Sequence, residues 1–142
     1  MKVYTETLTI STNGGAGHAA FTDVTRMVTD AVGRSGIATG LVNVFIEHTS
    51  ASLIIQENAD PRVLGDLARW IARLAPESDA YEHDDEGPDD MPSHLRSAIT
   101  KTSETIPIRS GALSLGTWQA LYLFEHRAAA HRRTLEITVM GT

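Results

Sequence analysis

The chain has 142 residues, 42% hydrophobic and 21% charged, proportions of one ordinary globular domain rather than of a disordered, fibrous or coiled-coil chain. It has no cysteine, which excludes disulfides, thiolate-held metals and a thiol nucleophile, so any metal must be held by His, Asp, Glu or neutral oxygen. The net charge of −6 arises in one segment, Glu82 to Asp90, which carries 6 acids and no base and leaves the other 12 acids matched by 12 bases. A balanced body with one acidic segment is the reverse of a nucleic-acid-binding face. No apolar run reaches the length of a membrane span or a signal peptide, so the expectation is a cytoplasmic protein that engages neither membrane nor nucleic acid.

The opening residues from Val3 to Ile10 are β-prone and run into Asn13-Gly14-Gly15-Ala16-Gly17, a turn or loop. With Thr22 as N-cap, the spacing of Val24, Met27, Val28, Ala31 and Val32 predicts an amphipathic helix that stops at Gly33 or Gly36. Residues 41 to 48 read as a buried strand with Val42, Val44, Ile46 and His48 on one face, and Ser52 to Gln56 as a second β segment. Asp60 is placed to cap, and Pro61 to begin, a helix whose apolar stripe is Val63, Leu64, Leu67, Ile71 and Leu74. Residues 77 to 93, with Gly87, Pro88 and Pro92, predict a long loop, followed by a short helix from about His94 to Thr100. Three β-type runs, 106 to 108, 119 to 126 and 134 to 140, complete a single domain. This order predicts an α+β fold, a largely antiparallel β-sandwich with two main helices and one short helix.

Four potential ligand or acid–base groups, His48, Glu57, His83 and His94, lie at element ends or in loops, where side chains are free to converge. The plain reading of the acidic segment is a solvated surface loop, but a solubilising loop has no need of His83 within it and His94 just beyond it. His48-Thr49-Ser50-Ala51-Ser52 offers hydroxyls to an anion, or equally to its own turn backbone. Glu125 shares a strand face with Leu121 and Leu123, so it points partly inward, where it needs a partner such as a base or an oriented histidine. Trp118 reads as a core or interface anchor. The glycine-rich signatures of P-loop and dinucleotide-binding proteins are absent, as is the serine-hydrolase Gly-x-Ser-x-Gly.

Six segments, HTSASL at 48 to 53, ENADP at 57 to 61, YEHDDEGPDDMPSH at 81 to 94, IPI at 106 to 108, LGTWQ at 115 to 119 and FEHR at 124 to 127, together resemble the YjbQ-like proteins, also described as secondary thiamine-phosphate synthase enzymes. The resemblance implies a YjbQ-like homotrimer and one pocket gathering His48, Ser50, Glu57, Asn58, Asp60, His83, Asp89, Asp90, His94, Gln119, Glu125 and Arg127. It also implies a transferase joining a pyrimidine methyl diphosphate to a thiazole phosphate. Combined with the residue chemistry, the expectation is a metal site of His48, His83 and His94. It would hold Zn²⁺ or another first-row metal, with Mg²⁺ possible alongside a diphosphate. Glu57 or Glu125 would be the catalytic base, and Ser50, Asn58, Asp60, Asp89, Asp90, Gln119 and Arg127 would hold a small anionic or phosphorylated substrate. The alternative is a non-enzymatic trimeric module that binds a small anionic metabolite or a partner.

Overall fold

A computed structural model describes all residues, 1 to 142. Eight strands, β1 (Lys2–Ser11), β2 (Phe21–Asp23), β3 (Gly40–Ile46), β4 (Ala51–Glu57), β5 (Ser103–Arg109), β6 (Ala112–Leu113), β7 (Gln119–Glu125) and β8 (Arg132–Gly141), pair antiparallel throughout. They form a five-stranded sheet in the order β1-β8-β3-β5-β6 and a three-stranded sheet in the order β2-β7-β4. Helices α1 (Thr25–Ser35), α2 (Pro61–Leu74) and α3 (Asp90–Ile99) complete the α+β fold, with a 3-10 turn at Gly17–Ala20. No helix is long and apolar enough to cross a membrane.

Packing follows from strand alternation. Val42, Val44 and Ile46 of β3 and Leu135, Ile137 and Val139 of β8 face Leu53 of β4, Leu121 and Leu123 of β7, and Val28, Ala31 and Val32 of α1 in the main core. The opposite face of β7, with Ala120, Tyr122 and Phe124, packs with Phe21, Leu64 and Ile71 in a second core beneath α2. β7 is therefore buried on both faces. Its register places Gln119 opposite Glu57 and Glu125 opposite Ala51, at the two ends of β4.

α2 begins as expected, with the Asp60 carboxylate accepting from the Arg62 N–H and Pro61 as first residue. The start of α1 differs. Thr22 lies in β2, and the Asp23 carboxylate takes the Thr25 N–H instead. α3 starts at Asp90, four residues before the expected position, and shortens the long loop. Pro92 is its third residue, where an N–H would have no intrahelical acceptor, so the ring costs no hydrogen bond. Trp118 is 63% exposed and anchors no core.

Candidate metal centre

The early start of α3 builds the site. Asp90 and His94 are one helical turn apart and share a face. His83 approaches from the preceding loop. Its Nε2 lies 2.7 Å from Asp90 Oδ2, and His94 Nε2 lies 3.2 Å from the same oxygen, with the two rings 5.6 Å apart. The three potential ligand atoms lie within 4.8 Å of one another. Donors bound at about 2.0–2.2 Å around one tetrahedral cation stand just over 3 Å apart, so this trio fits such an ion with small adjustments.

The surroundings hold the trio in place. His94 Nδ1 lies 2.9 Å from the Thr49 carbonyl; that acceptor keeps a proton on Nδ1 and turns Nε2 inward, where its lone pair is available to a cation when the ring is neutral. Asp90 is 3% exposed. Burial works to raise its pKa, but hydrogen bonding from His83 and the charges of His94 and Arg127 outweigh that and hold the carboxyl below its ordinary value. The bond to Asp90 in turn raises His83. Glu86 Oε2 stands 3.3 Å from His83 Nε2, a fourth potential donor on an exposed side chain.

Arg127 fastens the loop to the end of β7. Nε donates to Asp89 Oδ2 at 2.9 Å, one terminal nitrogen to Asp90 Oδ1 at 2.8 Å, and the other to the Glu86 carbonyl at 3.2 Å. Ala128 N–H adds a bond to Asp89 Oδ2. Asp89 is thereby held below the usual carboxylate range, chiefly by Arg127. Arg127 and Asp89, expected to bind substrate, pair with each other in this chain, and Arg127 also holds Asp90 in place. Asp90, also expected at the substrate, joins the two imidazoles.

His48 does not join them. It lies beyond β3, and its Nε2 accepts the Thr134 backbone N–H at 2.9 Å; burial and the nearby Arg133 hold its pKa down. The expected single pocket also divides, because β4 carries its two ends roughly 20 Å apart. At the far end, the Glu57 carboxylate accepts from the N–H groups of Ala59 and Asp60, Asp60 caps α2, Asn58 donates to the Thr117 carbonyl, and Gln119 accepts from the Gly116 N–H. These four residues order a turn. At the near end the Ser50 carbonyl accepts from His126 N–H and Arg133. Glu125 is 1% exposed and receives Arg133 on both oxygens and Thr12 Oγ1 on one, so it forms an interior ion pair and bonds none of His83, Asp90 and His94. The Asp90-His94 pair was the missed feature, and its i, i+4 spacing was visible in the sequence.

The fold defines the class, an antiparallel α+β sandwich, and this chain carries a His-Asp-His cluster on it. The sequence pattern described as "UPF0047 protein YjbQ-like" matches residues 6–142, and the chain belongs to that family. A UPF0047 protein of Synechocystis is 53% identical over 96% of this chain and 90% of its own length. The UPF0047 protein YjbQ of Salmonella typhimurium is 40% identical over 97% of this chain and 98% of its own. Among solved structures, a YbjQ-like protein of unknown function from Sulfolobus solfataricus superposes with a TM-score of 0.89 at 25% identity, covering 99% of both chains. These relatives correct the expected activity. They are described as UPF0047 proteins or as of unknown function, and none of these descriptions carries thiamine-phosphate synthesis or a transferase reaction.

Proposed function

We propose that this protein binds a divalent first-row cation, Zn²⁺ foremost, through His83, Asp90 and His94, and presents it to a small anionic or phosphorylated substrate. The observation that carries this reading is the convergence of two imidazole nitrogens on one oxygen of a buried carboxylate, with one ring's tautomer set by a backbone carbonyl. Two neutral imidazoles and one carboxylate leave a divalent ion with net positive charge, and Asp89 is already neutralised by Arg127, so an anion that takes the open side in place of the exposed Glu86 is the matching ligand. Such an ion polarises a bound oxygen and lowers the pKa of bound water. This chain contributes the fixed donors, the Arg127 clamp that keeps Asp90 in place, and an approach from the side of the half-exposed His83.

Protein purified without chelator is expected to carry close to one equivalent of metal, or to take up Co²⁺ with a visible tetrahedral spectrum. Asp90→Asn is expected to weaken binding at least tenfold. Binding requires neutral imidazole, and His83 is raised in the metal-free protein, so affinity is expected to fall as pH drops through and below that raised value. Metal-free protein that gives no Co²⁺ spectrum at pH 7.5 with a tenfold excess of the ion would refute the reading.

Self-association into a homotrimer is part of the same proposal and has its own support. On the outer face of the large sheet, Val3, Met140, Leu41 and Pro107 are register neighbours in one exposed row, followed by the uncharged row Thr5, Thr138, Asn43 and Thr105. Neighbouring apolar and uncharged side chains on an open sheet face suit burial against another copy. Sedimentation is expected to give three times the 15.4 kDa of one chain, and Leu41→Glu to shift the distribution toward the monomer. A wild-type monomer at 100 μM would overturn this part.

A further inference from the structure

A second cavity, of about 440 Å³, lies between the glycine-rich loop before the 3-10 turn, α2 and the end of β7. Its volume is within the range of small-molecule sites. Gly15 and Gly17 of the loop and Ala68 and Ala72 of α2 supply walls without bulk. Gly14, which sets the course of this loop, has φ +69°, and a Cβ there would stand 2.5 Å from the Ala129 backbone, so only glycine lets the loop pass so close. On the β7 side the wall is aromatic: Phe124 and His126 both line the cavity, their rings 4.3 Å apart.

Two polar groups on this cavity are incompletely matched by the protein. Arg96 of α3 lines it and donates Nε and one terminal nitrogen to the Ala75 carbonyl, but has no carboxylate within 4 Å. Neither acid on the lining approaches it that closely: Glu77 is exposed, and the Glu125 carboxylate is taken up by Arg133. His126 is 4% exposed; its Nε2 is bonded to Ser52 Oγ at 2.8 Å, while Nδ1 is the one buried side-chain polar atom of the chain without a partner. Ser52 is in turn within 2.6 Å of Thr100 Oγ1, which has the Arg96 carbonyl as an alternative acceptor. The hydroxyl protons can therefore run either way along this chain, and Nδ1 can act as donor or acceptor. A ligand group that reached this unpartnered buried atom, by a small turn of the ring or opening of the loop wall, would supply the hydrogen bond it lacks.

We propose that this cavity binds a small planar ring-bearing anion, of the aromatic carboxylate type. The ring would lie between the Gly/Ala walls and the Phe124–His126 wall, the anionic group on Arg96, and a polar atom at His126 Nδ1. The lining includes none of His83, Asp90 and His94, and the proposal does not depend on a metal bound there.

Benzoate is the test probe, titrated into ¹⁵N-labelled protein in the presence of EDTA. Saturable shifts are expected at the amides of residues 15–17, 68–72 and 124–126. Benzamide, which keeps the ring and loses the charge, is expected to bind at least tenfold more weakly, as is benzoate to Arg96→Gln. Arg96 also bonds the Ala75 carbonyl, so Ala72→Leu, which fills the cavity and leaves every polar group in place, serves as the second variant and is expected to abolish the shifts. Shifts that vanish in EDTA, that cluster at residues 83–94, or that persist unchanged in Ala72→Leu would overturn the proposal. Failure of the metal test above would leave the expected result here untouched.

Discussion

Arg133→Met is expected to lower the free energy of unfolding by about 3–5 kcal/mol, the usual cost of leaving one member of a buried ion pair alone. Glu125 is 1% exposed and Arg133 is 4% exposed, so neither charge can turn to water. Burial alone would raise the Glu125 pKa. The two bonds from Arg133, with Thr12 Oγ1 and the Arg127 N–H, outweigh it and keep the carboxylate ionised. In the variant only the two weaker donors remain, and the group takes up a proton or draws in water. Urea unfolding at pH 7 measures the loss, with the midpoint shifted and the slope unchanged. Glu125→Gln combined with Arg133→Met is expected to recover much of the stability, because the double change removes both charges. A single-variant loss below about 1 kcal/mol would mean that the pair is hydrated and the interior reading of Glu125 is wrong.

The inward position of Glu125 was legible because strand alternation groups it with Leu121 and Leu123. That alternation leaves open which residue meets it. Arg133 is the second residue of β8, and only the pairing of β8 with β3 in one sheet, packed over β7 in the other, brings the two together. α2 was legible to its first residue because capping and periodicity agree. α3 starts four residues before the position its sequence suggests, because Pro92 reads as a breaker although the first turn of a helix tolerates proline. With the helix started at His94, Asp90 falls in the loop, the Asp90-His94 pair is hidden, and His48, a third imidazole, stands as the apparent ligand. β2 has only three residues, too few for periodicity to register, and its segment reads as the entry to α1.

The division of the expected pocket has a related cause. Motifs adjacent in sequence, HTSASL and ENADP, straddle one strand and so are carried to its opposite ends. FEHR gives consecutive side chains three different partners: the Glu125 carboxylate pairs with Arg133 between the sheets, the His126 ring bonds Ser52 beside the cavity under α2, and Arg127 holds the acidic loop. A polar motif of this kind identifies residues of consequence without indicating that they act together. Here the strand's two buried faces and its end decide the grouping, and sequence order does not carry that information.

His126 is expected to make the protein acid-labile well above the range in which carboxylates protonate. Burial, with the charges of Arg96 and Arg133 adding to it and Glu125 opposing, lowers its pKa from 6.5 to about 3. The unfolded chain therefore binds a proton below pH 6.5 that the folded protein refuses. Stability is complete above that value and is lost as pH falls, by about 1.4 kcal/mol per pH unit and up to roughly 4–5 kcal/mol near pH 3. His48, also lowered, acts in the same direction. His83 is raised and acts oppositely: its contribution is present below pH 6.5 and is lost as pH rises through its folded value. The lowered Asp89 and Asp90 contribute above their ordinary carboxylate range and lose that contribution only as pH falls below about 4. Glu6 and Glu125, both lowered from an ordinary value of 4.5, act in the same direction as the aspartates but from about pH 5.5 downward, so the window from pH 6.5 to about 5.5 isolates the histidines. Urea unfolding across that window, in EDTA to exclude metal, is expected to show stability falling with acidification, and His126→Gln to flatten the slope by one proton's worth. The glutamine amide can still bond Ser52 and does not titrate, so its own stability at pH 7 serves as the reference. Equal slopes for the two proteins would mean that His126 protonates in place and that the cavity wall is open to solvent.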